Sequence, residues 1–356
     1  MNLLKIYVSK SVDILYFMWY NMCINEKEIK MSHLDEHRNE IFKKYSDEEL
    51  IKDCNNFVNG GGRLTKFLNH FFEELIFESS TSRGQYYSPM DALKDDEYIK
   101  WIIEYTESKP KFYTGNQVAN IKSFFRNGGR KGGKVANFPP KVARDIYLKY
   151  FNDITEPLNC LDTSSGFGSR MSAVLLSGNN YYSTDPNPKL HEKLFECAKW
   201  LNNNGFIKEN QHCELVKQGS EIFIEEWENI MDVSFTSPPY FNLEKYCDDN
   251  STSTENYNNY ELWLENFAKP TIDNTYKYLK IGGYAMINIK NMTNGKKLNL
   301  FDDWLELFKQ HDGFELVEIF NMEQTSKKVV GLYANYDTSK AKNQNIEPVM
   351  VFRKVF

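Results

Sequence analysis

The sequence contains no Cys-x-x-Cys pair; its six cysteines, Cys23, Cys54, Cys160, Cys197, Cys213 and Cys247, are scattered without regular spacing. That excludes a zinc knuckle or a disulfide framework as the organising device, and it predicts a reducing, cytoplasmic setting. Positive charge is not in excess either. A net charge of −6 over 356 residues gives no global basic field, so any surface for nucleic acid has to be local. No apolar run is long enough to span a bilayer. The stretch Val12 to Tyr20 comes nearest, but Asp13 interrupts it, Lys10 precedes it, and no small-residue cleavage site follows. Residues 1–30 therefore read as an extension rather than an anchor or a leader.

What is present is ordinary for a globular chain in charge (26%) and apolar content (41%). The aromatic share of 15% is high, which suits a well-filled core or a protein that stacks on flat ligands. The length allows a catalytic domain plus a smaller one. From Ser32 to about Tyr113 the pattern is helical. Ser46-Asp47-Glu48-Glu49 resembles a capping box ahead of Leu50, Ile51, Phe57 and Val58. After Gly60-Gly61-Gly62 a second helix carries Leu64, Phe67, Leu68, Phe71, Phe72, Leu75 and Ile76, and a third runs from Asp95 to Tyr105. This predicts a helical module over residues 1–115 with its own core. His33-Leu34-Asp35-Glu36-His37 matches an inverted zinc-peptidase pattern, but no third ligand stands near it, and a solvated helix start explains it better. No metal site is expected.

Residues 116–137 and the helix after them shift in charge. Lys122, Arg126, Arg130, Lys131, Lys134, Lys141, Arg144 and Lys149 face a single acid, Asp145. The glycine-rich loop holding Arg126, Arg130, Lys131 and Lys134 could lie along phosphates, or it could be a solvated linker. Its Gly128 to Lys134 spacing is a near miss for a P-loop, because Val135 stands where a magnesium-holding Ser or Thr is needed. Phe138-Pro139-Pro140 then opens a helix, with prolines where the first N–H groups need no partner.

The remainder alternates strand and helix. Leu158 to Asp162 reads as a strand ending in an acid, followed by the turn Ser164-Ser165-Gly166-Phe167-Gly168. Tyr181 to Asp185 is a second strand ending in an acid, and Glu214 to Ser220 a third. Val233 to Thr236 is a fourth, running into Ser237-Pro238-Pro239-Tyr240. Tyr284 to Lys290 is a fifth, and Phe314 to Met322 with Pro348 to Val355 close the chain as a hairpin. The pattern predicts an α/β fold with a mostly parallel, doubly wound sheet of seven strands and an antiparallel C-terminal hairpin. Taken alone, the fourth strand's ending is either a tight Pro-Pro turn or a rigid ligand-binding peptide at a carboxyl edge.

A strand-end acid, a Gly-x-Gly turn and a second strand-end acid, joined to Thr236-Ser237-Pro238-Pro239-Tyr240, together resemble the S-adenosylmethionine-dependent amino-methyltransferases of DNA. These modify N4 of cytosine or N6 of adenine. The likeness covers residues 138–356, and it implies a Rossmann-like methyltransferase domain there. It implies S-adenosylmethionine as cofactor, held by Phe138, Pro139, Asp162, Ser164, Gly166, Gly168, Asp185, Gly219, Ser220 and Thr236. Thr163 and Ser164 depart from the family's usual Pro and Phe.

The resemblance also implies the chemistry. An exocyclic amine is a poor nucleophile until the Ser237 hydroxyl and the Pro238 carbonyl accept its N–H groups, with Pro239 stiffening the turn. Tyr240 would stack on a base flipped out of duplex DNA, with Phe241 extending that wall. No Pro-Cys pair occurs, as C5-cytosine methylation would need. Ser in the motif leans toward N4 of cytosine over N6 of adenine. A target-recognition role would fall to the helical module and the basic stretch, and a cognate restriction endonuclease is a candidate partner. An RNA base N-methyltransferase, or a cofactor- or DNA-binding protein without catalysis, are the alternatives.

Overall fold

Alternate residues of the central sheet strands face opposite apolar layers, as a sheet covered on both sides requires. Cys160, Tyr181, Val349 and Val351 face one core, while Leu161, Tyr182, Met350 and Phe352 face the other. The computed structural model describes residues 39–81, 87–126, 135–151, 156–242, 244–246, 253–257, 259–292, 298–323, 328–333 and 346–356. The strands of this sheet are β1 (Asn159–Asp162), β2 (Asn180–Thr184), β3 (Cys213–Val216), β4 (Met231–Thr236), β5 (Leu279–Asn288), β6 (Phe314–Glu323), β7 (Lys328–Tyr333) and β8 (Ile346–Lys354). Their spatial order is β3-β2-β1-β4-β5-β8-β6-β7. Pairing is parallel from β3 through β5 and antiparallel from β5 onward.

This is the Rossmann-like methyltransferase fold predicted above, with one difference at its C-terminal side. The expected antiparallel hairpin is present, its last strand β8 lying between β5 and β6. The edge belongs to an eighth strand, β7, from the connection expected to be merely polar. A short strand covering an edge leaves no long open ladder.

Helices α1 (Asp47–Val58) and α2 (Thr65–Glu78) begin the described chain's regular structure after a first helical turn at residues 39–41. The capping box at Ser46 is present: its hydroxyl accepts from the Glu49 N–H at 3.3 Å and Glu49 accepts from the Ser46 N–H at 3.2 Å. The order continues with α3 (Pro89–Lys94), α4 (Asp96–Glu107), α5 (Gln117–Arg126), α6 (Pro140–Phe151), α7 (Ser169–Leu176) and α8 (Pro188–Asn203). On the other face, residues 260–278 form one long helical stretch that widens into a π turn at Leu264–Ala268 just before Pro270, which has no N–H to give. The last helix is Leu300–Lys309.

The N-terminal helices divide between two cores. Leu50, Cys54, Phe57, Phe67, Phe71 and Phe72 of α1 and α2 join the apolar layer that covers the sheet, alongside α6, α7 and α8. Phe67 lies 5.4 Å from the Trp200 ring of α8, whose indole N–H donates to Asp47 at 2.8 Å. A separate cluster gathers Phe77, Ala92, Ile99, Ile102, Ile121 and Phe125 of α2 to α5. The packing of the described helices therefore divides within α2. Among the described residues, Cys54, Cys160, Cys197 and Cys213 are free and buried, and no described helix is long and apolar enough to cross a membrane. His33 and His37 lie outside the described residues.

Candidate active site

The sheet's parallel half delivers the two strand-end acids and the proline motif to one carboxyl edge. β1 pairs with β4 in parallel, Cys160 opposite Val233 and Leu161 opposite Ser234, so the peptides leaving both strands are neighbours. Between β1 and α7 the chain turns through Gly166 (φ +56°) and Gly168 (φ +67°), conformations that suit glycine. The two glycines differ in what surrounds them. A Cβ on Gly166 would meet nothing nearer than 3.9 Å, which leaves the backbone open to a ligand. A Cβ on Gly168 would lie 2.5 Å from the ring of Phe72, so this glycine admits helix α2 against the turn.

Hydrogen bonds stitch the strand ends together. The Ser165 N–H donates to the Thr184 carbonyl at 3.3 Å, and the Thr184 hydroxyl donates to the Thr163 carbonyl at 3.3 Å. The Asp185 N–H donates to the Val216 carbonyl at 3.2 Å, tying β2 to β3. Asp185 receives the Asn187 N–H at 3.1 Å. Burial pushes its carboxyl up to about 7, against the pull of the Asn187 and Gly166 N–H groups.

Phe138 and Pro139 come to the same edge. The Asn137 amide donates to the Phe167 carbonyl at 3.1 Å, and the Phe138 ring meets Phe235 of β4 edge-on at 5.5 Å. The Pro139 carbonyl accepts from the Val142 and Ala143 N–H groups, opening α6. Gly219 and Ser220 follow β3, but the Ser220 hydroxyl is engaged with Thr271 at 2.8 Å and its carbonyl with Asn274 at 3.0 Å. Beside them, burial raises the carboxyl of Glu221, one oxygen of which is buried without a partner.

Asp162 is not the open acid that the resemblance implies. It is fully buried, and both its oxygens are engaged by Arg170, at 2.8 and 3.1 Å. The Tyr181 hydroxyl at 3.0 Å and the Ser164 N–H at 3.2 Å complete its shell. The side chain of Ser164 bonds its neighbour's carbonyl, that of Thr163, at 2.8 Å.

In the motif itself, Thr236 and Pro238 are buried while Ser237, Pro239 and Tyr240 are partly exposed. Phe241 has a left-handed backbone, φ +50°, uncommon for an aromatic residue. That reversal sends its ring inward, 5.4 Å from Tyr260 and 5.7 Å from Trp263, at 6% exposure. Phe241 is therefore a core residue, and the expectation that it extends a stacking wall is corrected. Tyr240 stays at the rim of the same cluster. Beyond it, Glu244 and Lys245 pair antiparallel with Thr81 and Ser80, so the segment that follows α2 clasps the segment that follows the motif. Tyr246 then reaches the Phe167 ring at 6.2 Å.

Four described members of the basic stretch are committed to the fold. Lys122 pairs with buried Glu73 at 2.8 Å, Lys141 with Asp145 at 3.0 Å, and Lys149 with Glu318 at 2.5 Å. Arg144 donates to the Gly60 carbonyl at 3.2 Å and to that of Phe57, and lies over the Phe57 ring. Arg130, Lys131 and Lys134 lie outside the described residues; Arg126 ends α5.

A polar ligand fits this edge. Three buried hydroxyls beside the glycine turn and the motif, those of Thr163, Ser169 and Thr236, have no partner among the described residues. Such orphans are rare in a finished fold unless something else satisfies them. Residues 231–355 match the model of the DNA methylase family. The matched span runs from β4 through β8 and includes the whole proline motif. It supports methyl transfer as the activity and S-adenosylmethionine as the cofactor. No curated protein matches the chain.

Among solved structures, a TehB-like SAM-dependent methyltransferase from Corynebacterium glutamicum is 15% identical, over 70% of this chain and 98% of its own, at a TM-score of 0.38. An rRNA methylase from Streptococcus thermophilus is 14% identical, over 62% and 99%, at 0.37. The N-methyltransferase NodS from Bradyrhizobium japonicum, in complex with S-adenosyl-l-homocysteine, is 11% identical over 61% and 89%, also at 0.37. At such scores these likenesses bear no weight, and the fold rests on the strand order above.

Arg170, Asn137 and Tyr246 join the site beyond the residues the motifs single out. Arg170 carries a sequence signal: a base eight residues after a strand-end acid, on the first turn of the next helix. Tyr246 reaches Phe167 from far along the chain, and no local pattern reveals that.

Proposed function

We propose that the protein transfers a methyl group from S-adenosylmethionine to an exocyclic amine of a base flipped out of duplex DNA, with N4 of cytosine favoured over N6 of adenine. The observation that carries this is the meeting of Thr236 to Tyr240 with the Gly166–Gly168 turn at one sheet edge, within a chain whose residues 231–355 match a DNA methylase family. Phe138, Pro139, Gly166, Gly168, Asp185 and Thr236 line the cofactor's place, with Asp185 receiving the ribose hydroxyls and the Gly219-Ser220 backbone beside the adenine.

S-adenosylmethionine, when bound, supplies an electrophilic sulfonium methyl. The chain's own contribution is orientation. The Ser237 hydroxyl and Pro238 carbonyl accept the amine's two N–H groups, drawing the nitrogen toward a tetrahedral shape with its lone pair aimed at the methyl. Pro238 and Pro239 fix that carbonyl's direction, since each locks its own φ. Tyr240 stacks on the flipped base. Arg126, Arg130, Lys131 and Lys134 meet the phosphates, and the helices before them take part in recognising the target.

The test is transfer of labelled methyl groups to duplex DNA and to structured RNA in parallel. Label in DNA alone is the expected result. Label in RNA alone would move the substrate to RNA bases, and binding of S-adenosylmethionine without transfer to either would make the protein a binding module.

A further inference from the structure

The carboxylate of Asp162 has no capacity left for a ligand. Arg170 Nε and Nη2 hold it side-on, Tyr181 and the Ser164 N–H fill the remaining lone pairs, and the two side chains are 0% and 5% exposed. A buried bidentate pair of this kind does not open for an incoming ammonium without leaving a charge unpaired. Yet this pair lies where the cofactor's methionine end belongs. The Arg170 guanidinium carbon is 5.6 Å from the Phe138 ring centroid, and Nη2 is 3.9 Å from where a Cβ on Gly166 would stand. Nη2 also donates to the Ser164 carbonyl, which braces the turn. Nη1 takes no hydrogen bond among the described residues. One residue earlier, the Ser169 hydroxyl is buried without a partner among the described residues. The edge therefore offers donors at the methionine end and no open acid.

We propose that Arg170 Nη1 and the Ser169 hydroxyl form the seat for the carboxylate of the cofactor's methionine moiety, and that Asp162 is a positioning residue that aims Arg170. This rests on the S-adenosylmethionine reading above. The guanidinium arrives oriented, because two of its nitrogens are fixed before any ligand enters. The consequence is a site that distinguishes an adenosyl ligand carrying a carboxylate from one without it.

The experiment is calorimetric binding to the full chain of three ligands: S-adenosylhomocysteine, its decarboxylated analogue and 5′-methylthioadenosine. In the unmodified protein, S-adenosylhomocysteine should bind about 10- to 100-fold tighter than the decarboxylated analogue. Arg170→Met should remove that preference while leaving methylthioadenosine within about threefold. The paired variant Asp162→Asn/Arg170→Met leaves no buried charge unpaired and should behave the same. Retained preference in either variant overturns the seat. Equal binding of the first two ligands by the unmodified protein overturns it even if neither variant folds. Failure of all three ligands to bind removes the cofactor reading itself, a different and recognisable result.

Discussion

Substituting Ala at Gly168 tests whether helix α2 is part of the catalytic scaffold or merely beside it. The added methyl would stand 2.5 Å from Cε2 and Cζ of Phe72. Phe72 is completely buried and cannot swing into solvent. Overpacking of this kind costs about 1–3 kcal/mol. The backbone adds its own term, because φ at Gly168 is +67°, where an L-residue costs about 1–2 kcal/mol. The sum, about 2–5 kcal/mol, is a large part of an ordinary domain's stability. Urea unfolding followed by far-ultraviolet circular dichroism reads it directly. Phe72→Ala alone leaves a cavity worth about 3–5 kcal/mol, but it also removes the clash. The double variant should therefore be less unstable than the sum of the singles by about 1–3 kcal/mol. A Gly168→Ala variant within about 0.5 kcal/mol of the unmodified protein, or strict additivity in the double, would refute the packing of Phe72 on this turn.

Because burial holds the Asp185 carboxyl up to about 7, and ribose hydroxyls donate best to the ionised form, S-adenosylhomocysteine affinity should rise as much as about tenfold per pH unit below 7 and level off above it; Asp185→Asn should flatten the profile. The same raised value means that the folded chain holds this proton more tightly than the unfolded one. Asp185's stabilising share is therefore present below about pH 4 and lost as pH rises through about 7, and denaturant midpoints of Asp185→Asn against the unmodified chain at pH 5 and pH 8 check it. Tyr240→Ala should abolish methyl transfer while calorimetry shows cofactor binding largely unchanged; surviving transfer would remove its stacking role. Reversing Arg130, Lys131 and Lys134 to Glu should weaken DNA binding and make it less salt-dependent, the slope of log affinity against log salt falling by about 0.9 for each phosphate no longer neutralised. Deleting residues 1–115 should give an insoluble or unfolded chain, since it strips Phe67, Phe71 and Phe72 from the layer that covers the sheet.

Seven strands and the parallel pairing of the first five were legible because each announces itself locally: an apolar run, an acid or a glycine turn at its end, a helix after it. The capping box at Ser46 and the proline-opened helix α6 were legible for the same reason. What escaped was set by packing between distant residues. α1 and α2 look like a helical module with its own core until Phe72 is seen against Gly168 and Phe67 against Trp200. Lys122, Lys141, Arg144 and Lys149 look like a basic surface until Glu73, Asp145, the Phe57 carbonyl and Glu318 take them up. Phe241 turns inward at a left-handed backbone angle that its residue type does not suggest. At the site, the resemblance implies a ligand for Asp162, whereas the structure pairs it with Arg170.

Ser237 to Tyr240 is expected to deliver a methyl group to an exocyclic amine of DNA. The most direct measurement is the nucleoside composition, by mass spectrometry, of duplex DNA incubated with the protein and isotope-labelled S-adenosylmethionine. Label is expected in N4-methyldeoxycytidine, or in N6-methyldeoxyadenosine if adenine is the base accepted. Label in 5-methyldeoxycytidine, or DNA left unlabelled while RNA gains the methyl group, would contradict it.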